Sequence, residues 1–125
     1  LTNTMGWSSD FSATPDREAW IQVDLGEAVQ VDTVVLYPRD DAWHEGLGFP
    51  MDFSIQGTTG DAVGDWTDLA VHVAYDQGDP PRRAQVFTFP AAEYRFIRIV
   101  ATRLSAVANN GYAMQFAEME VIEAE

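Results

Sequence analysis

The sequence contains no cysteine and no lysine, and each absence closes off chemistry. Without thiols there is no disulfide framework, no thiolate metal site and no thiol redox couple. Bases are scarce: seven arginines stand against 20 acidic residues, for a formal net charge of −13. Such a surface repels phosphate backbones, and nucleic-acid binding needs a basic stripe that scattered arginines do not supply. Long apolar runs are missing too. None approaches the ~20 residues that cross a bilayer, and Leu1 to Ser9 has neither a basic n-region nor an apolar h-region, so no membrane insertion is expected. Only two histidines occur, His44 and His72, and no Gly-x-Ser-x-Gly turn or other nucleophile motif accompanies them. Acid pairs abound, but in so acidic a chain most are solvated surface charge. No catalytic activity is expected.

What is present is a core. The chain has 125 residues, 46% of them hydrophobic, enough for one domain over residues 1–125 that needs neither disulfide nor metal to hold it together. Ile21, Val23 and Leu25 alternate with Gln22 and Asp24, the period-2 pattern of a half-buried strand. Similar runs cover Val31 to Tyr37, Met51 to Ile55, Trp66 to Tyr75, Val86 to Phe89, Tyr94 to Ala101 and Met114 to Ile122. In the last, Phe116 and Met119 cannot share a face under strict alternation, which implies a bulge or burial on both sides. No window sustains a helical period, and glycine, proline and Asp/Asn clusters interrupt the chain throughout. The fold class is all-β, an antiparallel sandwich. Its expected core is Ile21, Val23, Leu25, Val35, Phe53, Ile55, Leu69, Val71, Ile97, Ile99 and Val121, with His72 pointing out of its strand and Trp7, Trp20 and Trp66 assigned to packing.

Function on such a scaffold belongs in the loops at its ends. The densest connection runs from Pro38 to Pro50 and holds Arg39, Asp40, Asp41, Trp43 and His44. A flat indole can cover the C–H face of a pyranose while charged forks bind neighbouring hydroxyls. In the other reading, Arg39 pairs with Asp40 and Trp43 caps the sandwich. Asn109, Asn110 and Tyr112 form a second loop with amides and an aromatic ring, equally readable as an Asn-Gly turn. Acid pairs could also hold calcium, which takes six to eight oxygens, although the twelve-residue EF-hand loop is absent.

Six segments in order resemble one family: Gly6-Trp7-Ser8-Ser9, Trp20-Ile21-Gln22-Val23-Asp24-Leu25-Gly26, Val34-Val35-Leu36-Tyr37-Pro38-Arg39, Gly48-Phe49-Pro50-Met51-Asp52-Phe53, Arg95-Phe96-Ile97-Arg98-Ile99 and Gln115-Phe116-Ala117-Glu118-Met119-Glu120-Val121. This succession, spanning nearly the whole chain, resembles the discoidin, or coagulation factor 5/8 type C, domain. Within it, the chain is most similar to the carbohydrate-binding modules of family 32 and the rhamnose-binding family 67.

The resemblance implies an eight-stranded jelly roll with a ligand site in the loops at one end and a structural calcium nearby. It puts Ala117 and Glu118 at the metal, with Asn3 the nearest supplier of oxygen from the N-terminal side. The family's usual Asp-Gly run, and with it a first strand, would fall ahead of Leu1. Asp40 and Asp41 are the nearest match to the acidic pair of the rhamnose-binding branch. His44, Arg39, Asn110 and Trp43 or Tyr112 could fill the roles of the histidine, arginine, asparagine and aromatic of the galactose-binding branch, with Asn109 beside them. The implied function is a secreted, non-catalytic module that recognises a terminal sugar of a glycan and serves a larger multidomain glycoside hydrolase. The alternative is an adhesion or protein-recognition domain of the same fold, whose mark would be a broad exposed apolar patch.

Overall fold

A computed structural model describes residues 7–39, 46–60, 65–75, 81–107 and 111–124. Among the described residues there are nine strands: β1 (Trp7–Ser8), β2 (Ala19–Tyr37), β3 (Asp52–Thr58), β4 (Thr67–His72), β5 (Gln85–Arg103), β6 (Ser105–Val107), β7 (Gly111–Ala113), β8 (Gln115–Phe116) and β9 (Glu118–Glu123). All pairings are antiparallel, and no α-helix occurs among the described residues. The main sheet has the order β4-β3-β5-β2-β9, and β1-β8 and β6-β7 form two smaller ladders. The all-β antiparallel expectation holds.

The sequence pattern suggests separate strands where β2 and β5 each run unbroken for 19 residues. They pair along almost their full length, with register shifts between Asp24 and Val29 and between Val31 and Thr33. The sheet closes over itself through these two strands. Phe53 on β3 lies opposite Ala101 of β5, yet its ring is 5.8 Å from that of Phe87, fourteen residues earlier on β5. A straight strand would separate those two β5 positions by about 46 Å. The fold-over makes two layers from one ladder and encloses the core of Val31, Val34, Leu36, Phe53, Ile55, Ile97, Ile99 and their neighbours.

Of the expected core, Val35, Phe53, Ile55, Ile97 and Ile99 are buried, while Ile21, Val23, Leu25, Leu69 and Val121 are half-buried. Val71 and His72 are exchanged relative to expectation. Val71 is 59% exposed, and the His72 imidazole packs inward against Phe53, Tyr75 and Phe87 with centroids 5.1–5.3 Å away. The cause is register: Phe53 faces the core, and its directly opposed partner is His72, so both occupy one face. An irregularity between Ile55 and Gln56, opposite Ala70 and Asp68, gives Leu69 no partner and breaks the alternation read from the sequence. Trp20 also departs, at 55% exposed, because alternation turns it away from the core-facing Ile21. The last run is interrupted at Ala117, which puts both Phe116 and Met119 against the core.

Candidate functional site

Phe49 fastens the connection between β2 and β3 to the core, its ring meeting Phe53, Tyr75 and Phe116 at 5.4–5.9 Å. Around it the backbone is stitched together. Met51 N–H donates to the Arg103 carbonyl at 3.0 Å, Tyr75 N–H to Met51 at 2.9 Å and Leu104 N–H to Pro15 at 2.7 Å, while the Ser105 hydroxyl donates to the Phe49 carbonyl. The ends of β3, β4 and β5 and the segment leading into β2 therefore converge. Between them opens a cavity of about 350 Å³, lined by Tyr75, Tyr112, Arg103, Ser105, Met51 and Leu104 among others. Its size falls in the range of small-ligand sites, roughly 300–1,000 Å³. Two tyrosine rings and a guanidinium in a mostly apolar recess can cover one apolar face of a ligand and hydrogen-bond its edge. The Ser105 hydroxyl and the Tyr75 phenol, which donate to Phe49 and Gln85, can offer a ligand only an acceptor.

Tyr112 is held by a reciprocal pair of backbone bonds with the buried Ser12, at 2.8 and 2.9 Å, and by pairing with Ala106 across β6–β7. Arg39 is only 9% exposed and turns inward, donating from Nη1 to Gln115 Oε1 at 2.6 Å. Gln115 in turn donates to Ser8 Oγ at 3.1 Å through its side chain and to the Gly48 carbonyl at 2.9 Å through its backbone. Gly48 has φ +84°, and a Cβ there would stand 2.6 Å from Gln115 Cβ, so only glycine fits. The Arg39 carbonyl accepts from Gly46 N–H at 2.7 Å. Arg39 thus anchors the base of the loop it opens and is not among the residues lining the cavity. Asp40, Asp41, Trp43, His44, Asn109 and Asn110 lie outside the described residues.

Residues 1–119 match the sequence model of the F5/8 type C domain. The chain belongs to the F5/8 type C domain family. No curated protein sequence matches it. Among solved structures, this F5/8 type C domain is similar to the CBM32-3 module of a family 31 glycoside hydrolase from Clostridium perfringens, at TM-score 0.75 and 17% identity, covering 98% of this chain and 76% of that one. The family 32 module of C. perfringens NanJ, solved with galactose, superposes at TM-score 0.67 and 21% identity over 95% and 76% of the two chains. A chitosan-binding module of a Paenibacillus sp. IK-5 chitosanase/glucanase, solved with chitotriose, gives TM-score 0.62 and 18% identity over 96% of each. The shared fold is the discoidin β-sandwich.

Of the residues expected to hold calcium, two are described. Glu118 is exposed at the start of β9, and Ala117 N–H donates to the Tyr37 carbonyl at 2.8 Å. Beside them, the Tyr37 hydroxyl donates to Glu120 at 3.2 Å. That bond, with burial and the charges of Glu120 and Glu118, holds the phenol above its usual range. Glu118 and the Ala117 carbonyl offer two of the six to eight oxygens calcium takes. Among the described residues no group of three or more acidic or histidine side chains could hold a metal, so these residues alone do not make the site. Asn3, the third expected ligand, lies outside them.

The sequence reading named Tyr112 but missed Tyr75, Arg103, Ser105 and Met51. Met51 and Tyr75 border long connections, which is the signal the sequence offers; Arg103 and Ser105 flank the single residue between β5 and β6, where it offers none. Phe11 was missed as well. It is 59% exposed and lies against Gly111, one residue from Tyr112.

Proposed function

We propose that this F5/8 type C domain is a non-catalytic carbohydrate-binding module that takes a terminal sugar, of rhamnose or galactose type, and targets an attached secreted glycoside hydrolase to its glycan. The observation that carries the reading is the cavity beneath Tyr112, where two tyrosine rings, Arg103 and Ser105 face a space sized for a small ligand. Support comes from the solved modules of the same fold that hold galactose or chitotriose. Asp40, Asp41, Trp43, His44, Asn109 and Asn110 complete the rim in this reading, with Arg39 fixing its base. Glu118, the Ala117 carbonyl and Asn3 hold a structural calcium, which in the rhamnose-type reading also works with Asp40 and Asp41 at the sugar hydroxyls. The imidazole of His72 is packed among three aromatic rings, which suits a structural role, and no nucleophile motif stands beside it in the sequence.

Calorimetry of the isolated domain against rhamnose, galactose and chitotriose tests the proposal. Losing one aromatic face costs roughly 1.5–3 kcal/mol, so Tyr112→Ala should weaken the best sugar by about tenfold or more. Asp40→Ala combined with Asp41→Ala should do the same, since a charged hydrogen bond contributes about 1.5–3 kcal/mol. Parent affinity in both variants, with an unchanged fold, would move the site elsewhere. Incubation with aryl glycosides should release no product above a buffer blank.

A further inference from the structure

A second recess lies beside the first. It encloses about 290 Å³ and is lined by Trp7, Asp10, Arg17, Glu18 and Trp20, with Leu104 at its wall. Leu104 also lines the larger cavity, and its N–H donates to the Pro15 carbonyl. The strap from Pro15 to Glu18 therefore crosses Leu104, placing Pro15 in one recess and Arg17 and Glu18 in the other. Pro15 and Arg17 are two residues apart, about 7 Å of extended chain, so a single elongated ligand can touch both recesses.

The chemistry of the second recess is specific. Trp20 leaves β2 on the solvent side and exposes over half its surface, although an indole ordinarily contributes far more when covered. Its strand is pinned by pairing with Val100 of β5, so the ring stands on a rigid base. Around it are one guanidinium and two carboxylates. Among the described residues, no hydrogen bond or ion pair engages the side chains of Arg17, Glu18 or Asp10. A flat apolar face ringed by uncommitted donors and acceptors of both signs suits a neutral polyol, whose hydroxyls both donate and accept. It suits a phosphate or an apolar peptide poorly, given the net charge of −13 and the charged rim.

We infer that the recess beside Trp20 is a second sugar subsite and that the preferred ligand is an oligosaccharide spanning Leu104. This rests on the proposed sugar binding in the first cavity. The test compares galactose with GalNAc-β-1,3-galactose, and glucosamine with chitotriose, by calorimetry on the parent, Trp20→Ala and Tyr112→Ala. In the pair that binds, the parent should hold the oligosaccharide at least ~5-fold tighter than its monosaccharide. Trp20→Ala should erase that advantage while leaving monosaccharide affinity intact, which also verifies its fold, and Tyr112→Ala should weaken both ligands. An oligosaccharide that binds no tighter than its monosaccharide, or keeps its advantage in Trp20→Ala, overturns the subsite while Tyr112→Ala still reports on the first cavity. No binding by either pair at millimolar concentration overturns the subsite, and failure of rhamnose to bind as well overturns the first-cavity reading.

Discussion

A Cβ added at Gly57 would stand 2.7 Å from Cδ1 of Tyr94, a core ring with little freedom to retreat. Overpacking of this kind costs about 1–3 kcal/mol, and Gly57→Ala should lower the urea midpoint of unfolding accordingly; an unchanged midpoint would show that the ring yields. Gln115 presents the converse case. Its removal takes a hydrogen-bonding partner from the buried guanidinium of Arg39, and bonds to charged groups contribute about 1.5–3 kcal/mol. Gln115→Ala should therefore destabilise the domain by that order, and it should weaken sugar binding only in proportion to the loosening of the loop that Arg39 opens. The sequence exposes Arg39 as a functional candidate because of its loop neighbours. It shows Gln115 only as part of a family-like segment and not its role, which depends on the approach of Gly48 from a segment far away in sequence.

At the scale of strands, the turn within β2 is held by Asp24. Its carboxylate accepts from Gly26 N–H at 2.8 Å and from Arg95 Nε and Nη2 at 3.0 and 3.2 Å. The Arg95 guanidinium, then the Gly26 amide, keep this carboxyl below its ordinary value. A depressed carboxyl stabilises the fold above the ordinary carboxylate range, and that contribution is lost as pH falls through the folded-state value. Asp24→Asn should lower the thermal midpoint at pH 7, and the gap to the parent should close on acidification toward pH 2. A gap independent of pH would detach the effect from this charge. The strand type was legible, and so were core positions such as Ile97 and Ile99, because alternation survives wherever pairing is regular; Val34, Leu36, Phe87 and Phe116, which are buried too, were not singled out. Alternation failed at Val71 and His72, where an irregular pairing across β3 and β4 reverses the faces, a property of two strands together that neither reveals alone. The cavity was legible only through Tyr112, since Tyr75 and Arg103 reach it from strand ends that converge through tertiary backbone bonds.

The whole molecule carries an excess of thirteen negative charges, which strains the compact state by self-repulsion. Salt screens that repulsion, over a Debye length of about 10 Å at 0.1 M. The thermal midpoint should therefore rise between roughly 0.01 M and 0.5 M sodium chloride, and a flat or falling midpoint would show that local pairs outweigh the net field. Chelation offers a separate check on the proposed calcium: in a domain loaded with the metal and verified by elemental analysis, removing it should lower the midpoint. The partners of β2 have a further consequence, in time. This strand is completed at Tyr37, but its neighbours begin only at Gln85 and Glu118, and Met114 reaches back 105 positions to Ser9. During synthesis, at about 5–20 residues per second, β2 waits several seconds with both edges bare before either neighbour emerges. Its apolar stretch from Val31 to Leu36 is during that interval a template for any other strand, and the cell must keep it solitary until the far end of the chain arrives.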